Sequence, residues 1–227
     1  MLLLSTDTSG RHGSIALARA NEGAAGGEVE VIEVVPLAGG TFSAQLVPQI
    51  AGLLSKHSFT KNDIGAFVVA SGPGSFTGLR VGLAAIKALA EILGKPIAAV
   101  SLLEASVLAG GSQGRITALL DAGRGEVYVG EYEVAGGSVN ILAERLLRRE
   151  EAWAEARGSK AVTSDNVLVA AADAAGLTVA TIPPVDAGML ARLGWRKIQV
   201  GETVSPEELE ANYIRRSDAE IFAKGSS

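Results

Sequence analysis

Residues 71–94, SGPGSFTGLRVGLAAIKALAEILG, restrict the fold more than any other stretch of the chain. The short apolar run before them, residues 66–70 (AFVVA), reads as a fully buried strand. Residues 72–78 hold too much glycine for regular structure. Residues 79–93 carry no proline and end at Gly94, so they predict a helix capped by Ser75 or Thr77 at its start and closed by that glycine. Within it Leu79, Leu83, Ile86, Ala90 and Leu93 share one face, because they step by threes and fours. Val81, Ala85, Ala88 and Ile92 step the same way on a second face. Arg80, Lys87 and Glu91 leave only a narrow polar stripe. A helix on the surface of a lone subunit needs one apolar face. This one is either enclosed within its own domain or meets another chain, and its small residues suit close helix–helix approach.

The 227 residues suffice for two modest lobes or one large domain. Only 4% are aromatic, so the core is to be built from Ala, Val, Leu and Ile. A net charge of −5, with no Lys/Arg run, argues against tight autonomous binding of nucleic acid. The absence of cysteine removes disulfides and thiolate chemistry. The opening MLLLSTDTSG lacks a charged leader region and is too short to span a membrane, so no membrane association and a cytoplasmic location are expected.

Strands are expected at residues 2–6 and 14–20, joined by an Asp7-Thr8-Ser9-Gly10 turn, and at 29–37 beyond a floppy tip at 21–27. A helix over 43–57 follows, capped by Ser43, with Leu46, Ile50, Leu53 and Leu54 on one side and Pro48 near its start. After the central strand and helix come a strand at 97–100 and a helix from Leu102. The second half opens like the first: residues 116–121 form a strand ending in Asp121, then AGRG, then a strand over 126–133. This repeat of strand, aspartate, glycine turn and strand predicts two lobes of similar topology. They are placed at 1–104 and 105–227, with a tail free to pack back on the first. Residues 145–157 read as a charged surface helix, 167–175 and 186–193 as helices, and Ser205-Pro206-Glu207-Glu208 as a capped helix start. Residues 224–227 are expected to fray.

Asp7 and Asp121 each close a strand and open a glycine turn. Either they hold a hydrated Mg²⁺ beside a nucleotide phosphate, or each caps its own turn. The glycines of 72–78 either cradle phosphate at a helix N-terminus or let strand and helix pack closely. They match neither a Walker A loop nor a dinucleotide fingerprint. The two histidines, His12 and His57, form no metal pair, and His57 is placed to interact with a helix C-terminus. No GxSxG is present, and Ser75 lacks that spacing, so a hydrolase is poorly supported.

Taken together, LLLSTDTS, SGPGSFTGLRVGLAAIKALAEILGKPIAAVSLLEA, LLDAGRGEVYVGEYEV and the late VSPEEL…NYIRR resemble the bacterial TsaB (YeaZ) family over nearly the whole chain. The resemblance implies an α/β chain of two RNase H-like lobes in the actin-like ATPase (ASKHA) fold. It implies a non-catalytic scaffold and activator of TsaD in forming N6-threonylcarbamoyladenosine at position 37 of tRNAs reading codons that begin with A. TsaE is then a further partner, tRNA is met only within the complex, and the chain alone forms a homodimer. Family members pair by packing their first two helices into a four-helix bundle, which implies an interface of Leu46, Ile50, Leu53, Val81, Ala85, Ala88 and Ile92. Where the family reads His-Ser-Glu-x-Leu-Leu-Pro, this chain has Phe42-Ser43-Ala44-Gln45-Leu46-Val47-Pro48, so metal chemistry is disfavoured. No cofactor is required on this reading. Asp7 and Asp121 match the aspartates of actin-like ATPases, leaving room for a vestigial cleft that binds ATP or ADP with Mg²⁺ weakly. Arg80, Arg124, Arg215 and Arg216 are candidate tRNA contacts. The rival reading is an actin-fold nucleotide hydrolase or kinase acting on its own.

Overall fold

A computed structural model describes residues 1–21, 28–38, 40–136 and 138–214. Most of the 21–27 tip, together with Arg215, Arg216 and the 224–227 end, lies outside those residues.

The chain divides into two compact units. Met1–Ser101 and Asp186–Asn212 form the first. Leu102–Val185, rejoined by Tyr213 and Ile214, forms the second. The expected boundary at 104/105 therefore moves to 101/102. Residues 186–212 also leave the second lobe, because a helix within them covers a face of the first sheet.

In the first unit, β1 (Leu2–Asp7), β2 (His12–Ala20), β3 (Val29–Ala38), β4 (Ile64–Gly72) and β5 (Ile97–Ser101) form a sheet ordered β3-β2-β1-β4-β5. β1 pairs antiparallel with β2 and parallel with β4. The uninterrupted apolar run of β1 follows from burial on both sides. Leu2 and Leu4 join the core beneath α1 (Phe42–Lys56) and α2 (Phe76–Leu93). Leu3 faces the other way, into a cluster with Ala191 and Trp195 of α6 (Ala187–Gln199). Asp186 caps α6 by accepting from the Met189 N–H at 2.8 Å, and the Ala187 N–H donates to Ser14 Oγ at 2.9 Å.

The second unit repeats the plan. β6 (Gly114–Gly123), β7 (Glu126–Ala135), β8 (Ser138–Arg148), β9 (Lys160–Thr163) and β10 (Val179–Thr181) take the order β8-β7-β6-β9-β10, with β6 antiparallel to β7 and parallel to β9. One face of this sheet packs on α4 (Arg149–Ala156) and α5 (Asn166–Ala174), and the other on α3 (Leu102–Ala109). Equal strand order and equal strand sense make both units RNase H-like lobes, so the fold class implied by the resemblance holds.

Three local expectations are corrected. The 145–157 segment is not one helix: β8 runs through Arg148, where its register with Glu126 ends, and α4 begins at Arg149. Helix α1 starts at Phe42 after Thr41, so Ser43 lies inside it and does not cap it. The 205–208 box does form, with Glu208 N–H donating to Ser205 Oγ at 3.3 Å and Ser205 N–H to the Glu208 carboxylate at 3.1 Å. It closes only a single turn, because Leu209 then anchors in the core at 1% exposure and draws the chain away from a helical path.

Candidate functional site

Where β1 ends, Asp7 is buried and its Oδ1 accepts from the Ser9 N–H at 2.8 Å and from Ser9 Oγ at 2.5 Å. The side chain thus caps its own turn. Burial pushes the Asp7 carboxyl above its ordinary range, against the lowering effect of the two Ser9 hydrogen bonds. The turn is clamped from the glycine loop: Ser75 N–H donates to Ser9 O at 2.6 Å, and Thr8 Oγ1 donates to Gly78 O at 2.7 Å. A Cβ on Gly78 would overlap the Thr8 carbonyl oxygen, and one on Gly82 the Thr8 hydroxyl. A Cβ on Gly74 would stand 2.5 Å from Ser9 O. At Gly74 and Gly78 backbone meets backbone, and the atoms met are carbonyl oxygens that repel an anion. Of the two readings of the loop, close packing fits the geometry. Ser75 Oγ accepts from Gly78 N–H at 3.3 Å as the N-cap of α2, and Gly94 closes it in the left-handed region at φ 61°.

Asp121 lies in the second unit and stands exposed before a two-residue hairpin turn, Arg124-Gly125, whose φ angles are +56° and +80°. Phe42 lies buried with its ring against Gly13. His12 is exposed at the start of β2. His57 ends α1 and pairs with Glu33 of β3 through Nε2 at 2.7 Å, while Lys56 Nζ reaches the other carboxylate oxygen at 2.7 Å. Hydrogen bonds from Lys56, then His57, hold the Glu33 carboxyl below its usual range. Among the described residues no three His, Asp or Glu side chains converge on a metal position. A cavity of about 360 Å³ opens in the second unit between the end of α3 and β9–β10. Two of its polar side chains are engaged internally: Ser159 Oγ with Thr117 and the Ala156 carbonyl, Lys160 with the Gln113 carbonyl.

The outward faces of α1 and α2 differ in kind from these positions. Leu46, Ile50 and Leu53, expected at an interface, are 1%, 5% and 3% exposed within the subunit's own core. They are corrected to core residues: the sheet takes the bulky stripe of α1. What α1 turns outward is Ala44, Val47, Pro48 and Ala51, spaced one helical turn apart, with Val47 57% exposed. On α2, Val81 and Ala85 are half-buried against the core cluster, while Ala88 is exposed and Ile92 is 72% exposed. Ala84 joins them. Arg80 sits over the Phe76 ring at 3.8 Å at the start of the helix. Sequence reasoning named the outward residues of α2 and missed those of α1. A signal was present: no charged residue occurs from Phe42 to Ser55.

A family model described as TsaD, tRNA N6-adenosine threonylcarbamoyltransferase, matches residues 34–179. The chain is 36% identical over 139 residues to the tRNA threonylcarbamoyladenosine biosynthesis protein TsaB of Bacillus subtilis, covering 60% of this chain and 57% of that protein. With the Escherichia coli protein of the same description it shares 33% over 92 residues, 39% of this chain and 40% of that one. A solved structure described as an uncharacterized protein with similarity to peptidase YEAZ from Pseudomonas aeruginosa superposes with a TM-score of 0.72 at 26% identity, covering 94% of this chain and 99% of that one.

Proposed function

Because the chain belongs to the TsaB/YeaZ group of the threonylcarbamoyltransferase family, we propose that it serves tRNA threonylcarbamoyladenosine formation as a non-catalytic scaffold and activator of a TsaD-type transferase. The observation that carries this reading is the outward surface of α1, uncharged from Phe42 to Ser55, beside the apolar stripe of α2. Ala44, Val47 and Ala51 together with Ala84, Ala88 and Ile92 leave a shallow, small-residue face with two larger knobs. Small residues let a partner's helices approach within the short interaxial distances of helix packing. Burial of Val47 and Ile92 then supplies the hydrophobic contribution, about 25 cal/mol per Å² of apolar surface covered. The substrates are tRNAs that read codons beginning with A, met within the assembly, with a TsaE-type ATPase as a further member.

No turnover by this chain is part of the reading, and no nucleotide is required. The self-capped Asp7 and the clamp on Thr8 and Ser9 support that. So does the ring of Phe42, which packs on Gly13 where the family's first helix carries a histidine. A peptidase finds no support in Ser75, whose hydroxyl accepts the helix-capping hydrogen bond from Gly78 N–H, while His57 is taken by Glu33.

The test is co-elution of this chain with the TsaD-type transferase of the same organism on a sizing column. Ala88→Glu combined with Ile92→Glu places two carboxylates in the covered face, where desolvation costs several kcal/mol by order of magnitude. The expected result is a folded chain that no longer co-elutes and no longer supports modification in a reconstituted reaction. Unchanged co-elution of the double variant would sink the proposed face.

A further inference from the structure

Residues 202–212 run the length of α2. Val204 N–H donates to Ile97 O at 2.9 Å just beyond the C-terminal end of the helix, and Asn212 N–H donates to Ser71 O at 2.7 Å just before its N-terminal end. Between these points Leu209 is sunk in the core shared with Leu83, Ile86 and Ala90. The strap therefore lies along one flank of α2. Glu207, Glu208 and Glu210 are exposed on it. Hydrogen bonds from its own backbone N–H and from the Ser205 side chain hold the Glu207 carboxyl below its usual range, and the charge of Lys87 on the helix adds to them. Glu91 is exposed one turn beyond Lys87 on α2 itself. Exposed Arg80 and half-buried Lys87 are the cations of α2, so the four exposed carboxylates of strap and helix outnumber them. The exposed α1 surface carries no charge from Ala44 to Ser55.

We infer that the strap glutamates and Glu91 form an acidic margin to the α1/α2 face, which selects a partner carrying basic residues along the matching edge over a second copy of this chain. The inference rests on the proposed docking role of that face and adds its charge preference. A second copy offers little to meet the margin. Its Lys56 is engaged by Glu33, its Arg80 lies over its own Phe76 ring, its Lys87 is half-buried, and its own margin repels. Rim charges of this kind act mainly on encounter rate and partner choice and are screened by salt.

The experiment measures, by calorimetry, the affinity of the full chain for the TsaD-type transferase of the same organism at about 50 and about 500 mM NaCl, a range over which the Debye length shrinks severalfold. Self-association is followed by sedimentation at the same two concentrations. The expected result is opposite slopes: the heterocomplex weakens about tenfold with salt while self-association stays level or strengthens. Glu91→Lys with Glu210→Lys leaves the Ser205 turn and its hydrogen bonds to Glu207 and Glu208 intact. It should weaken the heterocomplex about tenfold at low salt and flatten its slope, at unchanged Tm. A heterocomplex whose affinity ignores both salt and the double variant, yet is lost with Ala88→Glu, overturns the acidic margin and leaves the docking face standing. No heterocomplex at either salt overturns both.

Discussion

The two strand–aspartate–turn–strand units of the chain share a topology and differ in what their turns do. In the first, Asp7 is buried, Ser9 fills one of its oxygens, and the first turns of α2 lie on Thr8 so closely that only glycine fits. In the second, Asp121 is exposed and nothing lies within 4 Å of where a Cβ would stand on Gly123 or Gly125. The helices diverge as well. α1 is uncharged from Phe42 to Ser55 and α2 carries only Arg80, Lys87 and Glu91 over its 18 residues, whereas α4 carries Arg149, Glu150, Glu151 and Glu155 over its eight residues. A duplicated fold has thus been put to two uses: one lobe locks its turn and offers a helix face, the other keeps an open turn and a charged helix.

That contrast can be broken by substitution. Gly78→Ala forces a methyl into the Thr8 carbonyl and should cost about 3 kcal/mol or more, whereas Gly125→Ala meets open space and should cost about 1 kcal/mol for its positive φ alone. Equal losses by denaturant titration would mean that the first turn is not locked. Glu131→Gln comes next. Its carboxylate takes hydrogen bonds from Arg115 and, at 3.3 Å, from Arg145, and loss of those charge-assisted bonds should cost about 1–2 kcal/mol at neutral pH. The hydrogen bond from Arg115 chiefly holds the Glu131 carboxyl below its ordinary 4.5. Its contribution is therefore complete above that value and fades as pH falls through the lower folded-state pKa, a window that the variant should erase.

Asp7→Asn sharpens the contrast with the opposite sign. Burial raises the folded-state pKa of Asp7 above 3.8, so its contribution is complete below that value and is lost as pH rises through the folded pKa. At neutral pH the neutral amide, still able to accept from Ser9, should raise Tm by a few degrees; a fall in Tm would show that the ionised carboxylate is stabilising there. The smallest effect on stability is expected from Ala88→Glu on α2 and Val167→Glu on α5, each within about 0.5 kcal/mol because both sites are exposed. Only the first should abolish association with the transferase. Loss of association with both variants would mean that the two lobes are not functionally distinct.

Much of this was legible before any coordinates. The AFVVA run and Gly94 marked strand and stop for α2, which begins at Phe76 rather than Leu79, and Ser75 is one of the two caps expected. Each acts through neighbours within a few residues. Asp7 and Asp121 exposed the repeat for the same reason. Residues 145–157 misled: Arg145, Arg148 and Arg149 look alike in composition, and pairing with β7, with partners 16 to 22 residues away, decides that the first two belong to an edge strand. Leu46, Ile50 and Leu53 misled differently. Their spacing shows that they share a face, and nothing local says which surface receives it.

The sequence by itself determined most of the elements of the first lobe, the duplication and the existence of two apolar faces on α2, since periodicity and caps are short-range properties of the chain. Tertiary structure decided which faces were consumed and which were left. It returned α6 and the 202–212 strap to the first lobe, buried the bulky side of α1, and left Ala88 and Ile92 outside. The physical reason is that burial depends on surfaces brought together across the whole chain, and a helix carries no record of which neighbour will cover it.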